Sequence, residues 1–485
     1  MKSPAAAAGA RLRAPTPTRL EDLTGPKPWP VFGNALQMDL PRMHQQVEDW
    51  ADRYGPLYRL KFGRKTMVVL SDGALIASLL RDRPDGWRRM RAMRSVINEM
   101  GGDGVFSAEG EDWRRQRRLV MSAFDPGHLA RFFPSLVRVT ERLDLRFARI
   151  AGQATRIELQ AQLMRYTVDV TAGLAFGTDV NTLESEGDVL QTHLDKIFPM
   201  IYRRLNMPFP YWRHLRLPAD RAFDRHLAAV DVAVHGFIAD ARRRLAEEPE
   251  RATRPRNLLE ALLAARDADG TALSESQIVG NVLTVLLAGE DTTANTLCWA
   301  LYLLHRHPDA WNALVAEVDA ALGDARIPTR IEILGELPHL EACVQEAMRL
   351  HPVAPLFFLE PNADAKLGDL HVPKGTTVFC VMRKAALDPA LGADVADFNP
   401  SRWTGADSAG KSALHHASRP FGGGPRLCPG RNLAMMEMKM VLALIARNYT
   451  LVEVGTESGR PPAERLSFAM SPVGLRLALG RRAGR

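Results

Sequence analysis

The stretch Phe421-Gly422-Gly423-Gly424-Pro425-Arg426-Leu427-Cys428-Pro429-Gly430 places one cysteine after a glycine-rich loop and just before a helical pattern. From Ala434 onward, Met436, Met440, Val441, Leu444 and Ile445 recur at helical spacing. Proline is favoured at the first position of a helix, so Pro429 predicts Cys428 as its N-cap residue. A sulfur there faces unpaired backbone N–H groups and the positive end of the helix dipole, which favour a thiolate over a thiol. Three glycines in a row let the backbone pass close to a flat, bulky ligand. Phe421 can cover the sulfur from one side, and Arg426 can pair with an acidic group on that ligand. A lone cysteine is usually a small buried hydrophobe. Here Phe-x-x-Gly-x-Arg-x-Cys-x-Gly fixes five positions at set spacings, which points to a ligating sulfur instead.

Three other groups of residues break or decorate their local pattern. Ala288-Gly289-Glu290-Asp291-Thr292-Thr293 sits in the middle of a long helical run. Glycine there costs about 1 kcal/mol relative to alanine, and threonine hydroxyls bond back to the preceding turn. Such a departure marks either a site or a packing notch for a neighbouring helix. Trp113 and Arg117 lie four apart in Trp113-Arg114-Arg115-Gln116-Arg117, so indole and guanidinium share one helix face. A cation–aromatic pair on the surface is the plainer reading of those two. Glu346 and Arg349, three apart before Leu350-His351-Pro352, can pair on a helix, and Arg402 follows in Phe398-Asn399-Pro400-Ser401-Arg402-Trp403.

Taken together and in this order, these motifs resemble those of the cytochrome P-450 superfamily, over most of the chain. The resemblance implies a haem b cofactor with Cys428 as the axial ligand of the iron and Phe421, Gly424 and Arg426 around it. It implies that Gly289 leaves room for dioxygen beside Ala288, and that Asp291 and Thr292 relay protons. Trp113, Arg117 and Arg426 would bind the haem propionates, and Glu346, Arg349 and Arg402 would form a network beneath the cysteine loop. One departure stands out. Family members often carry a propionate-binding arginine in the strand after the Glu-x-x-Arg helix, but Leu356-Phe357-Phe358-Leu359-Glu360-Pro361 contains none. His351 is a further candidate for that task. Phe357, Phe358, Phe468 and Met470 are expected to line the substrate pocket, the last two from a turn at 468–471. The implied reaction inserts one oxygen atom of O2 into an apolar substrate (fatty acid, terpenoid or steroid-like) and reduces the other to water. A peroxygenase or isomerase, or a non-catalytic haem sensor or electron carrier, is the rival reading.

The elements that must position these residues are mostly helical. Helices are expected over 41–54, 129–175 with a break at 152–156, and 273–305, the last opened by a Ser274/Gln277 capping box. Strands are expected at 57–62 and 66–70, around Gly63-Arg64. The arginines at 81, 83, 88, 89, 91 and 94 read as a solvated face. The proline-rich stretch 204–220 reads as a loop over a greasy cavity, and residues 1–27 as disordered. The expected fold is mainly α with small β-sheets, the haem lying between the long central helix and the cysteine-loop helix. One domain covers 28–485.

Composition bounds the partners. With 63 basic and 56 acidic residues the net charge is only +7, too mild to argue for nucleic acid. The four cysteines show no close pairing, which fits a reducing compartment and argues against a disulfide framework or a zinc site. Neither a signal peptide nor a membrane anchor is evident, so a cytoplasmic protein is expected. Electrons are expected from a separate ferredoxin or flavodoxin-like donor with its NAD(P)H reductase, docking on Arg114, Arg115, Arg118, Lys411, Arg419 and Lys439.

Overall fold

Ser274 accepts a hydrogen bond from the Gln277 N–H while its own N–H donates to Gln277 Oε1. This reciprocal cap opens the helix that the rest of the chain wraps, Glu275–Arg306. The computed structural model describes residues 18–153, 155–185, 189–207, 209–266, 270–405 and 408–482. The first half contributes α1 (Met43–Tyr54), α2 (Gly73–Arg81), α3 (Arg91–Asn98), α4 (Gly110–Ala123), α5 (Pro126–Gln153) and α6 (Leu159–Phe176). Helices α7 (Val189–Leu194), α8 (Ile197–Leu205), α9 (Pro218–Glu247) and α10 (Leu258–Ala264) follow. The central helix is α11, followed by α12 (Pro308–Leu322) and α13 (Pro338–Leu350). The short α14 (Ser401–Thr404) and α15 (Ser408–Ala417) lead to the cysteine loop, and α16 (Arg431–Asn448) leaves it.

Strands β1 (Leu57–Phe62), β2 (Lys65–Leu70) and β3 (Trp87–Arg89) lie in the first part of the chain, with β4 (Ile157–Glu158) between α5 and α6. The later ones are β5 (Leu356–Pro361), β6 (Ala365–Leu367), β7 (Leu370–Val372), β8 (Val378–Val381), β9 (Tyr449–Thr456), β10 (Glu464–Ser467), β11 (Ala469–Pro472) and β12 (Leu475–Arg481). The largest sheet has the order β1-β2-β8-β5-β3; a second runs β4-β12-β9, and β6/β7 and β10/β11 are hairpins. The expected hairpin at 57–70 is present in the register Leu57↔Leu70 to Phe62↔Lys65. The fold is thus mainly α with small sheets.

Apolar burial explains the layering. Leu286, Ala294, Leu297, Leu301 and Leu304 of α11 are fully buried with α6 and α16, whose Leu163, Val170, Leu442 and Ile445 join the same core. A helix buried on most of its faces needs apolar residues all round, which is why polar residues in its middle stand out. Gln116 of α4 accepts from Asn281 of α11, and Gln277 donates to Asp112, so a buried polar pair ties α4 to α11.

Two expectations change here. Residues 1–17 lie outside the described part, but from Thr18 the chain is packed: Arg59 donates to the Leu20 and Glu21 carbonyls, and Leu23 is buried. The stretch 204–220 is a connection as expected, yet Trp212 is buried and donates to Glu99 of α3. Pro208 lies outside the described residues. Among the described residues, no helix is long and apolar enough to cross a membrane.

Candidate active site

The cysteine loop closes on itself before α16 begins. Cys428 N–H donates to the Phe421 carbonyl (3.0 Å), and Arg117 of α4 donates to the Leu427 carbonyl (2.6 Å). Helix α16 starts at Arg431 with Gly430 in the cap position, so the expected N-cap at Cys428 does not form. The sulfur still receives help from the backbone. Burial pushes the Cys428 thiol up, while the Gly430 and Arg431 N–H groups and the Arg117 charge pull it back. Cys428 is the exposed cysteine; Cys298, Cys343 and Cys380 are buried. Its sulfur is therefore enclosed by protein but open on one side.

The glycines serve the protein before any ligand. Gly424 has φ +65°, and a Cβ there would run into the Leu80 carbonyl and Arg81 Cα of α2. A Cβ on Gly422 would touch the Phe357 ring. The loop is pressed against α2 and β5, and glycine is needed for that approach.

In α11, Thr292 Oγ1 donates to the Ala288 carbonyl one turn earlier (2.8 Å), and Ala288 is exposed. Asp291 accepts from Asn295 Nδ2 (3.1 Å), and Asn295 Oδ1 accepts from Gln160 Nε2 of α6 (2.9 Å). Burial, then the nearby Asp195 charge, pushes Asp291 up to about 6; the Asn295 bond works the other way. A Cβ at Gly289 would collide with Thr171 of α6, so this glycine answers to the packing notch between the two helices.

Arg426 lies with its guanidinium 4.5 Å over the Trp113 ring and donates to Ala108 O (2.8 Å) and to Glu109. The cation–aromatic partner of Trp113 is thus Arg426 rather than Arg117. Arg426 Nε and Nη1 are buried with no hydrogen-bond partner, and burial pushes this guanidinium down to about 10. His351 is elsewhere: its ring stacks on Trp299 at 3.8 Å and its Nδ1 meets Glu464 Oε1 at 2.7 Å, so it is not free to bind a propionate.

The arginine run 81–94 is not simply a solvated face. Arg83 is 5% exposed, and Arg88 and Arg89 are half-buried in β3. Lys439 is likewise buried, bonded to Leu334 O and Glu341, and cannot belong to a docking surface. Arg115 is bound to the Thr271 and Ala272 carbonyls, and Arg114 to Asp85 and Glu111. The Arg419 Nε is buried, and the Lys411 side chain lies outside the described residues.

Beneath the loop, Arg349 forms a two-point pair with Glu346 (2.8 and 2.7 Å), and Arg402 Nε reaches Glu346 at 3.3 Å. Trp403 Nε1 and Asn399 N–H also donate to Glu346, and Arg349 donates to the Ala386, Val395 and Asp397 carbonyls. Trp403 was missed from sequence although it adjoins Arg402. Asn295 was also missed, though four residues after Asp291 it shares that helix face.

Phe468 stacks on Phe198 of α8 (4.7 Å, 9°) and is tilted against Phe106 (6.2 Å). Phe468 has φ +90°, a strained backbone for a non-glycine residue, at the tip of the β10/β11 hairpin. Met470, two residues on, is fully buried among Met43, Val47 and Leu60 and does not line a pocket. Phe358 packs edge-on against Phe379 in the sheet (4.5 Å), and Phe357 lies on the cysteine-loop side, so neither joins this aromatic group.

The open sulfur of Cys428 and the partnerless buried nitrogens of Arg426 fit a metalloporphyrin with acidic side groups. Comparison with known proteins decides the family. The Cytochrome P450 family model matches residues 23–479. The human mitochondrial 25-hydroxyvitamin D-1 alpha hydroxylase is 32% identical, covering 91% of this chain and 89% of the relative. The chain belongs to the cytochrome P450 family. A chloroplastic cytochrome P450 97B2 of Glycine max is 27% identical over 84% of this chain and 78% of that protein. A self-sufficient cytochrome P450 monooxygenase of Penicillium freii is 28% identical over 89% of this chain, which spans 41% of that protein's length. This P450 is a haem b monooxygenase. Cys428 is the residue that would ligate the iron, with Arg117 and Arg426 placed to hold the cofactor's carboxylates.

Proposed function

We propose that this P450 hydroxylates or epoxidises an apolar small molecule of fatty-acid, terpenoid or steroid-like character, taking electrons from a separate protein. The observation that carries the substrate class is the Phe106–Phe468–Phe198 aromatic group, held partly by a strained Phe468. Aromatic faces reward apolar contact and leave a charged substrate without partners. The name of the human relative, a hydroxylase of 25-hydroxyvitamin D, supports a substrate of that kind.

When bound, the haem supplies the oxygen chemistry. The balance is one C–H bond, O2, two electrons and two protons in, one alcohol and one water out. Two protons must therefore enter an enclosed site. Asp291 is suited to deliver them, because a carboxyl titrating at about 6 gains and loses its proton near neutral pH. Asn295, backed by Gln160, fixes the Asp291 side chain. The Thr292 hydroxyl gives its hydrogen to Ala288 O, which leaves its lone pairs to accept from a proton donor. These two bonds favour use of O2 over a peroxide-driven reaction.

For the donor, the exposed Arg81 and Arg118 line a cleft beside Pro425 of the cysteine loop. That positive charge suits an acidic ferredoxin or flavodoxin-like partner, mainly by raising the on-rate. The test of oxygen chemistry is Thr292→Ala. The variant should bind haem and substrate but release peroxide and form less product per NAD(P)H oxidised. Unchanged coupling would show that Thr292 serves only the helix.

A further inference from the structure

Helices α7 and α9 pack against each other, and each carries one histidine beside its buried residues. Leu190 and Leu194 of α7 are buried, and His193, three residues after Leu190, shares their face. Phe223 and Val230 of α9 are buried, and His226 lies three after the first and four before the second. Packing the two apolar faces therefore brings together imidazoles that are 33 residues apart in the chain. Their Nδ1 atoms are 2.7 Å apart, and the ring centroids lie at 5.0 Å with a tilt of 57°. Both rings are half-buried, and neither has a second hydrogen-bond partner among the described residues.

Two ring nitrogens at this distance hold one hydrogen between them, so one ring donates and the other offers a lone pair. Without that hydrogen, two lone pairs converge on one point, which is what a Lewis acid needs. Neutral imidazole suits Zn2+, Cu2+ and Ni2+, whereas Mg2+ and Ca2+ take oxygen ligands. Zn–N bonds of about 2.0–2.1 Å at a tetrahedral angle place two nitrogens about 3.3 Å apart. The rings need to part by only about 0.6 Å to admit such an ion. Among the described residues, no group of three His, Cys, Asp or Glu side chains is placed to hold a metal. The pair is thus a two-point, exchangeable site with water in the remaining positions, unlike a structural zinc centre. Lys196 and Arg225 act on His226 and oppose a cation, but both are exposed, so salt screens them.

We propose that His193 and His226 form a binding site for a transition-metal dication of the zinc class, which staples α7 to α9. The staple restrains the segment between the two helices. That segment holds Phe198, which stacks on Phe468, and a connection in which Phe209 and Leu215 are exposed. This is a binding role; it asks nothing of the reaction itself.

The test uses holoprotein and does not rely on turnover. Zinc sulfate is titrated by calorimetry into chelator-treated parent, His193→Asn and His226→Asn, with magnesium sulfate as the control. Asparagine sets an amide near the place of Nδ1, so it can keep a hydrogen bond across the helices while removing the metal ligand. The parent should bind one equivalent of zinc and no magnesium, and each variant should bind that equivalent at least about tenfold more weakly. Trypsin cleavage after the exposed Arg213 and Arg216 gives a second readout. Zinc should slow it several-fold in the parent and leave it unchanged in both variants. The carbon monoxide Soret band should be the same in all three proteins, which shows that the variants fold and keep the thiolate ligand. Equal zinc binding by the parent and both variants would mean an adventitious ion only and would overturn the proposal. Binding that depends on one histidine alone would overturn it too, and so would a trypsin rate in the parent that zinc does not change. If one variant does not fold, the other carries the test by the same criteria.

Discussion

Replacing Asp291 by Asn should make this P450 more stable at alkaline pH while harming its chemistry. In the unfolded chain an aspartate titrates near 3.9, whereas in the fold Asp291 titrates at about 6 because burial and Asp195 disfavour its charge. Between those two values the folded protein binds more protons than the unfolded chain. Stability therefore falls as pH rises through that window, and the full penalty persists above it. Two units at about 1.36 kcal/mol each make that penalty about 3 kcal/mol, an upper bound because the side chain keeps some solvent contact. Asparagine keeps the shape and can still accept from Asn295 Nδ2, but has no charge to desolvate. Unfolding entropy of about 2.1 cal/mol/K per residue over 485 residues is about 1 kcal/mol/K. Asp291→Asn should thus raise the unfolding temperature by up to about 3 °C at pH 8 and by about half that at pH 5. The assay is thermal unfolding followed by circular dichroism at both pH values, beside product formed per NAD(P)H. A variant no more stable than its parent at pH 8, or equally stabilised at both pH values, would refute the reasoning.

The thiolate and the loop give two sharper expectations. Cys428→His should abolish the red-shifted Soret band of the reduced, carbon monoxide-bound protein, whereas Cys298→Ser, Cys343→Ser and Cys380→Ser should keep it, because those sulfurs are buried elsewhere. Gly424→Ala should destabilise the holoprotein far more than Gly459→Ala. Both sites have positive φ, each costing about 1–2 kcal/mol for a Cβ, but only at Gly424 does the Cβ meet backbone, at Leu80 and Arg81. Equal unfolding temperatures for the two variants would show that the loop yields freely.

What sequence alone settled was local. The Ser274/Gln277 cap, the β1/β2 hairpin and the Glu346–Arg349 pair all join residues a few positions apart, so their geometry follows from helical or strand spacing. Phe-x-x-Gly-x-Arg-x-Cys-x-Gly likewise singled out Cys428, since one loop carries the whole pattern. Tertiary structure decided whatever depends on which distant surface an element meets. Gly289 points at Thr171 and Gly424 at Leu80, so in both the glycine answers to a neighbouring helix. His351 was taken by Trp299 and Glu464, and Met470 by the core of α1 and β1, partners far away in the chain. The arginines of β3 read as solvent-facing because a run of charge is cheapest in water. Only strand pairing with β5 half-buries Arg89, and only the shared Glu109 gathers it with Arg83 and Arg426. Spacing records which side chains share an element's face; the energy that buries that face comes from surfaces hundreds of residues away.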